Sequence, residues 1–184
     1  SGTIAFNGNL TVTTALTTAS QDYAVSILGA VNVIAGATTF SNTGTVTLGD
    51  AAGDSTTFTA GLVATAPGAL NIAGTVAANT STSTIALGDS NTAVAVTATS
   101  LVGGAATGLI DIGDATLVDA ATLTVGTGIA NAINLDAVTG TGSGAVSSLT
   151  INTTGVVNVA EAVGTDIGVV TVTQSGGITF ASTV

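Results

Sequence analysis

A repeat of about 39 residues runs along most of the chain. The apolar-x-apolar triplet Val31-Asn32-Val33 recurs as Leu70-Asn71-Ile72, Ile110-Asp111-Ile112 and Leu149-Thr150-Ile151. A second triplet, each time followed by glycine, recurs in step: Val46-Thr47-Leu48-Gly49, Ile85-Ala86-Leu87-Gly88 and Leu123-Thr124-Val125-Gly126. Two independent columns keep one period within a residue. Self-similarity of this kind means stacked copies of one supersecondary unit, none of which buries its apolar face alone.

Composition says what that unit is made of. Of 184 residues, 46% are hydrophobic but only 3% aromatic, so the apolar mass is Ala, Val, Ile and Leu. Threonine and the β-branched aliphatics favour a pleated surface, and a single proline, Pro67, interrupts the ladders. Mean hydropathy of +0.73 sets the chain apart from disordered sequences. Lys, Arg and His are absent, and ten acidic residues leave a net charge of −10. Nucleic acid is therefore no partner, because binding it takes cations against phosphate. The longest apolar-leaning stretch, residues 24–37, contains Ser26 and Asn32 and is too short and polar for a transmembrane segment. With four Phe and one Tyr, the aromatic girdles of a membrane barrel cannot be built.

Apolar-x-apolar alternation is the half-buried strand signal. It recurs from Ile4–Phe6 to Ile178–Phe180, each time bounded by Gly, Asn, Asp, Ser or Thr. No segment carries a helical period, and no linker divides residues 1–184. The expected fold is all-β, a β-solenoid (parallel β-helix) forming a single array. The 39-residue repeat is read as two turns of roughly 19 to 20 residues, which gives about nine turns and a rod about 45 Å long; one wide 39-residue turn is the alternative. On this reading Val33, Ile72, Ile112 and Ile151 are buried in one stack. Asn32, Asn71, Asp111 and Thr150 then form one outward column.

Segments such as Gly2-Thr3-Ile4-Ala5-Phe6-Asn7-Gly8 and Gly44-Thr45-Val46-Thr47-Leu48-Gly49-Asp50 resemble the passenger regions of bacterial surface β-helix proteins. These are the filamentous-haemagglutinin-like adhesins and the autotransporters with β-strand repeats; threonine- and alanine-rich S-layer proteins look similar too. The resemblance implies secretion and an extracellular, cell-surface role that is structural or adhesive.

Chemistry has few residues to draw on. Nucleophilic and general-base catalysis usually recruit His, Cys or Lys, all absent. Carboxylate pairs remain, Asp50 with Asp54 and Asp111 with Asp114, in the manner of glycosidases. Against that, Gly49-Asp50, Gly53-Asp54, Gly88-Asp89 and Gly113-Asp114 follow strands, where Asp caps turns. No cofactor is expected except calcium, whose hard oxygen ligands Asp50, Asp54, Asp111, Asp114 and Asp119 would supply at the rod edge. Thr45-x-Thr47, Thr122-x-Thr124 and Thr171-x-Thr173 raise an ice-binding reading, which the two-turn frame breaks by leaving alternate turns without a pair. Three N-glycosylation patterns begin at Asn9, Asn79 and Asn152.

The expected function is a non-catalytic structural rod: a stalk, an adhesin passenger or a self-assembling fibre. An S-layer or matrix subunit that assembles laterally is the alternative. Ser175-Gly176-Gly177-Ile178-Thr179-Phe180 echoes Ser1-Gly2-Thr3-Ile4-Ala5-Phe6, and neither end shows a charged or proline-bearing cap. End-to-end self-association, or a place within a longer parent, is therefore expected. The surface ligand stays unassigned.

Overall fold

The computed structural model describes residues 1–184. In chain order the strands are β1 (Thr3–Phe6), β2 (Thr11–Val12), β3 (Ala24–Ile27), β4 (Val31–Ile34), β5 (Thr38–Thr39), β6 (Thr45–Leu48) and β7 (Ser55–Phe58). Next come β8 (Leu62–Ala64), β9 (Ala69–Ala78), β10 (Ile85–Leu87), β11 (Val94–Gly104), β12 (Ile110–Ile112), β13 (Ala115–Leu117) and β14 (Thr122–Val125). The last are β15 (Ile133–Leu135), β16 (Val138–Gly140), β17 (Ser147–Asn152), β18 (Val156–Val159), β19 (Ile167–Gln174) and β20 (Gly177–Phe180). There is no helix, and every pair of neighbouring strands is parallel.

The strands wind as a β-solenoid of about 8 turns with about 23 residues per turn. Each turn lays a strand on each of three faces. Face one stacks β1, β3, β6, the start of β9, the start of β11, β13 and β16. Face two stacks β2, β4, β7, the end of β9, the end of β11, β14, β17 and β19. Face three runs from β5 through β8, β10, β12, β15 and β18 to β20. At about 4.8 Å per rung, the stack is about 34 Å tall.

The 39-residue period is real, but it is not the turn. Three strands share about 23 residues, so successive strands start about eight residues apart, and five such intervals span about 39. Five intervals advance the chain by one and two-thirds turns. Equivalent triplets therefore land on different faces: Val31–Val33 on face two, Leu70–Ile72 on face one, Ile110–Ile112 on face three, and Leu149–Ile151 on face two again. The expected turn of 19 to 20 residues is corrected to about 23, and nine turns to about 8. Ile72, Ile112 and Ile151 are buried, but in three separate stacks.

The vertical columns hold the core. On face three one column reads Leu62, Ile85, Ile110, Ile133, Val157, Ile178, and its neighbour reads Ala64, Leu87, Ile112, Leu135, Val159, Phe180. Bulk is balanced between rungs. Phe40 and Phe58 meet edge to face with centroids 6.1 Å apart. Register sets Ala64 above Phe40 and Ala78 above Phe58, leaving room for both rings.

Val33 and Asn32 exchange their expected places. Either the pair Val31 and Val33 or the pair Asn32 and Ile34 can face inward, because side chains alternate. Ile34 pairs with Phe58 and is fully buried, which brings Asn32 in and leaves Val33 38% exposed. The buried amide is satisfied: Leu10 N–H donates to Asn32 Oδ1 at 3.0 Å, and Nδ2 donates to Gly29 O at 2.6 Å and Thr56 Oγ1 at 3.2 Å. Those bonds offset the desolvation that an unpartnered amide would suffer.

The glycine after the second triplet has a structural meaning. Gly49, Gly88 and Gly126 have φ of 78°, 67° and 88°, the left-handed region open to glycine, and each turns the chain out of a strand into a corner.

Ile112→Asp should unfold the stack or cost more than about 4 kcal/mol, since it buries an unpaired charge. Val33→Asp, adjacent in sequence to the fully buried Asn32 and Ile34 but outward in space, should cost about 1 kcal/mol or less. Denaturant titration followed by far-ultraviolet circular dichroism separates the two; equal losses would contradict the inward-outward frame.

Candidate functional site

The carboxylates mark the corners. Asp111 alone lies within a strand, on face three, while Asp22, Asp50, Asp54, Asp89, Asp114, Asp119, Asp136, Glu161 and Asp166 sit between strands. Corners are where the chain must leave the pleat and where backbone N–H groups lose their ladder partners, so an acceptor side chain is useful there.

Asp50 and Asp54 share one corner, but as parts of a turn. Asp54 Oδ2 accepts the N–H of Asp50 at 2.9 Å and of Ala51 at 3.0 Å. The Asp50 N–H is the main reason the Asp54 carboxyl is held below its ordinary range; burial opposes this, and the Ala51 N–H adds to it. A carboxylate so engaged is a poor proton donor. Asp119 accepts from Thr141 Oγ1 at 2.6 Å across one turn, and Asp114 Oδ1 accepts from Ala137 N–H at 3.2 Å.

Asp111 and Asp114 come together with a third residue that sequence reasoning missed. Asp136, one rung above, is pushed above its ordinary value, first by burial and then by the charges of Asp114 and Asp111. Its partial burial follows from the turn length, which no local pattern reveals. Among all ten acidic residues, no group of three converges in an arrangement that would hold a metal ion. The five residues expected to offer calcium ligands are thus spread over separate corners and one face. The single depression, about 300 Å³, lies at the first turn and is lined by Ser1, Gly2, Thr3, Asp22, Ala24, Gly44 and Thr45. Its polar side chains are one carboxylate, Asp22, and the hydroxyls of Ser1, Thr3 and Thr45.

Threonine is arranged differently from the two-turn expectation. Thr124, Thr150 and Thr171 occupy adjacent rungs of face two, with Leu101 below Thr124. A parallel row begins Thr122, Ser148 and then gives way to Val169. The array is three rungs high rather than alternate; it starts above Leu101 and reaches β19, the last strand of face two.

Buried polar side chains stitch the corners. Asn131 Nδ2 donates to Ala106 O at 2.8 Å and Gly108 O at 2.7 Å, one turn below. At the same corner one turn above, the Thr153 hydroxyl reaches Ile129 O at 2.8 Å and Asn131 O at 2.5 Å. Asn42 Nδ2 donates to Tyr23 O at 3.0 Å, and Thr92 Oγ1 to Thr65 O at 2.8 Å. Two glycosylation-pattern asparagines do the same from the surface: Asn9 Oδ1 accepts from Val31 N–H, and Asn79 Oδ1 from Ala105 N–H. An Asn or Thr two or three residues before a strand was the available signal, as at Asn42, Thr92, Asn131 and Thr153.

No protein-family model matches the chain, and searches of curated proteins and of solved structures return no match. No helix is long and apolar enough to cross a membrane.

Asp136 yields a pH test. Its folded-state pKa is raised, so the folded protein holds a proton that the unfolded chain releases, and stability falls as pH rises from about 3.8 through the raised value. Asp136→Asn should therefore raise the melting temperature at pH 7 and make no difference well below pH 3.8. Added salt should shrink the gain by screening Asp111 and Asp114. A variant less stable than the parent at pH 7 would show that the carboxylate stabilises this corner.

Proposed function

We propose that this chain is a structural rod of an extracellular bacterial surface protein, serving as a stalk, an adhesin passenger or a fibre that grows end to end, without catalytic activity. One observation carries the proposal: a single core of 34 buried apolar residues extends from Val25 to Val163 through every turn of the parallel stack, and the face-three columns are apolar from Leu62 to Ile178. Each turn contributes to length and stiffness, and little else departs from the repeat. The Gly-Thr-Val-rich strands, similar in style to β-helix passengers, point the rod to the cell surface.

Charge placement favours the isolated rod over the lateral lattice of an S-layer or matrix subunit. The carboxylates line the corners with no cation on any face to answer them. Side-by-side rods would bring acidic edges together, and at low ionic strength they repel. A glycan-processing reading lacks the means, since Asp50 and Asp54 form one turn and Asp111 and Asp114 lie next to a third acid. The calcium reading keeps acidic edges but no convergent ligand set.

Electron microscopy and small-angle scattering of the purified chain test the rod: particles should have one constant cross-section, with lengths in steps of about 34 Å. Raising salt from about 10 to 500 mM, or adding millimolar divalent cation, should promote bundling. A two-dimensional lattice at low salt would favour the lateral reading. Polysaccharide turnover abolished by Asp111→Asn or Asp114→Asn would overturn the non-catalytic one. If calcium binds the folded rod, chelation lowers the melting temperature; an unchanged curve removes that ligand.

A further inference from the structure

We propose that Asn79 carries an N-linked glycan, and that this sugar shields the one edge of the rod that has no charge of its own. This rests on the extracellular rod reading and gives one of its edges a chemistry.

The acidic residues are divided unequally among the three corners. Asp50, Asp54, Asp119 and Asp166 lie where face one passes into face two. Asp22, Asp89, Asp114, Asp136 and Glu161 lie where face three passes back to face one. The third corner, from face two to face three, has no acidic residue in any turn. Thr, Ser, Gly, Ala and Asn make up most of it. Two edges therefore repel a neighbouring rod at low ionic strength, and the third does not.

An acceptor pattern stands on that neutral edge. Between β9 and β10 the chain takes six residues, Asn79–Thr84, where the turn below crosses the same corner in three, Thr59–Gly61. Asn79, Thr80, Ser81, Thr82 and Thr84 are exposed. Thr80 and Ser83 close a tight turn, with Ser83 N–H donating to Thr80 O at 2.9 Å. Ala105 N–H donates to Asn79 Oδ1 at 2.9 Å, which fixes the amide through its oxygen and leaves Nδ2 free to react. The hydroxyl of Ser81 completes the Asn-x-Ser pattern.

The other two patterns are woven into the ladders. Around Asn9, Leu10 N–H donates to Asn32 Oδ1 at 3.0 Å, Leu10 O accepts from Val33 N–H at 2.8 Å, and Thr11 belongs to β2. Asn152 lies in β17 and is followed by Thr153, which is fully buried and bonded to the turn below. A transferase that must draw the acceptor segment into its own site would have to break these rungs. Only Asn79 is presented outside a strand and with an exposed residue on either side of the pattern's centre.

The transfer needs a lipid-pyrophosphate-linked oligosaccharide as co-reactant. Asn79 Nδ2 forms a bond to C1 of the first sugar while the bond from C1 to the phosphate oxygen breaks. The lipid pyrophosphate leaves with that electron pair, and the amide nitrogen gives up one proton. The product is bulky and well solvated. At a corner without carboxylates it holds neighbouring rods off by volume, which salt does not screen as it screens charge.

The full chain from its native surface tests the attachment. Cleavage at aspartate releases a fragment between Asp54 and Asp89 that contains this pattern alone. It should carry an oligosaccharide mass, which peptide N-glycosidase removes, leaving aspartate at position 79. A bare fragment would overturn the proposal, and so would sugar that persists in Asn79→Gln, which would lie on the hydroxyls of residues 80–84. Selection by the fold is tested in vitro with an oligosaccharyltransferase and a lipid-pyrophosphate-linked oligosaccharide. Peptides spanning each of the three patterns establish that the enzyme reads all of them. In the folded chain Asn79 should react at least tenfold faster than Asn9 or Asn152; Ser81→Ala should abolish transfer and Ser81→Thr retain it. Comparable reaction at all three sites would overturn the selection. Modified rods should need more salt to bundle than unmodified ones, and an unchanged threshold would overturn the shielding. Scattering and circular dichroism on the same samples keep the two readings apart: an unmodified β-rich rod removes the glycan and leaves the rod, whereas a helical or globular particle removes the rod itself.

Discussion

The structure depends on one constraint: every inward side chain must rest on the equivalent side chain of the turn below. Parallel pairing at about 4.8 Å makes this unavoidable, because the rung spacing is little more than the width of a methyl-bearing side chain. Val, Ile and Leu meet the constraint by stacking on their own kind, as in the column from Leu62 to Ile178. The two fully buried phenyl rings, Phe40 and Phe58, do so with alanine on the next rung. The near-absence of aromatics in the composition is thus a packing requirement of the stack.

The same constraint sends polar groups to the corners. On the faces, backbone donors and acceptors are taken up by the ladders; at the corners the chain leaves the pleat, and something else must bond. Asn131 and Thr153 do this from inside, Asp54 and Asp114 from the edge, and left-handed glycines such as Gly49 supply the bend. Residues that would draw attention as chemistry in another protein are here turn-closing groups. Most carboxylates therefore lie along the edges, and Asp136, partly buried and near Asp114 and Asp111, is held above its usual range.

Each turn buries the apolar face of its neighbour, so stability accumulates turn by turn along the stack. Nine of the ten carboxylates sit between strands, and no Lys, Arg or His side chain answers them, so the flanks of two rods repel at low ionic strength.

Fold class was legible in the sequence, since alternation such as Ile110-Asp111-Ile112 has one meaning in a chain without helical period. The two recurring triplets, and the glycine behind the second, were also local facts. The frame was not legible. Whether Val33 or Ile34 faces inward depends on Phe58, 24 residues on, and whether Asp111 and Asp114 have Asp136 as a neighbour depends on the length of a turn. The sequence by itself determined that short strands must stack, because propensity and alternation act within a few residues. Only the tertiary structure decided how many residues close a turn, because closure is a property of three faces and three corners together. A 39-residue echo along the chain therefore became a rotation from face to face rather than a column.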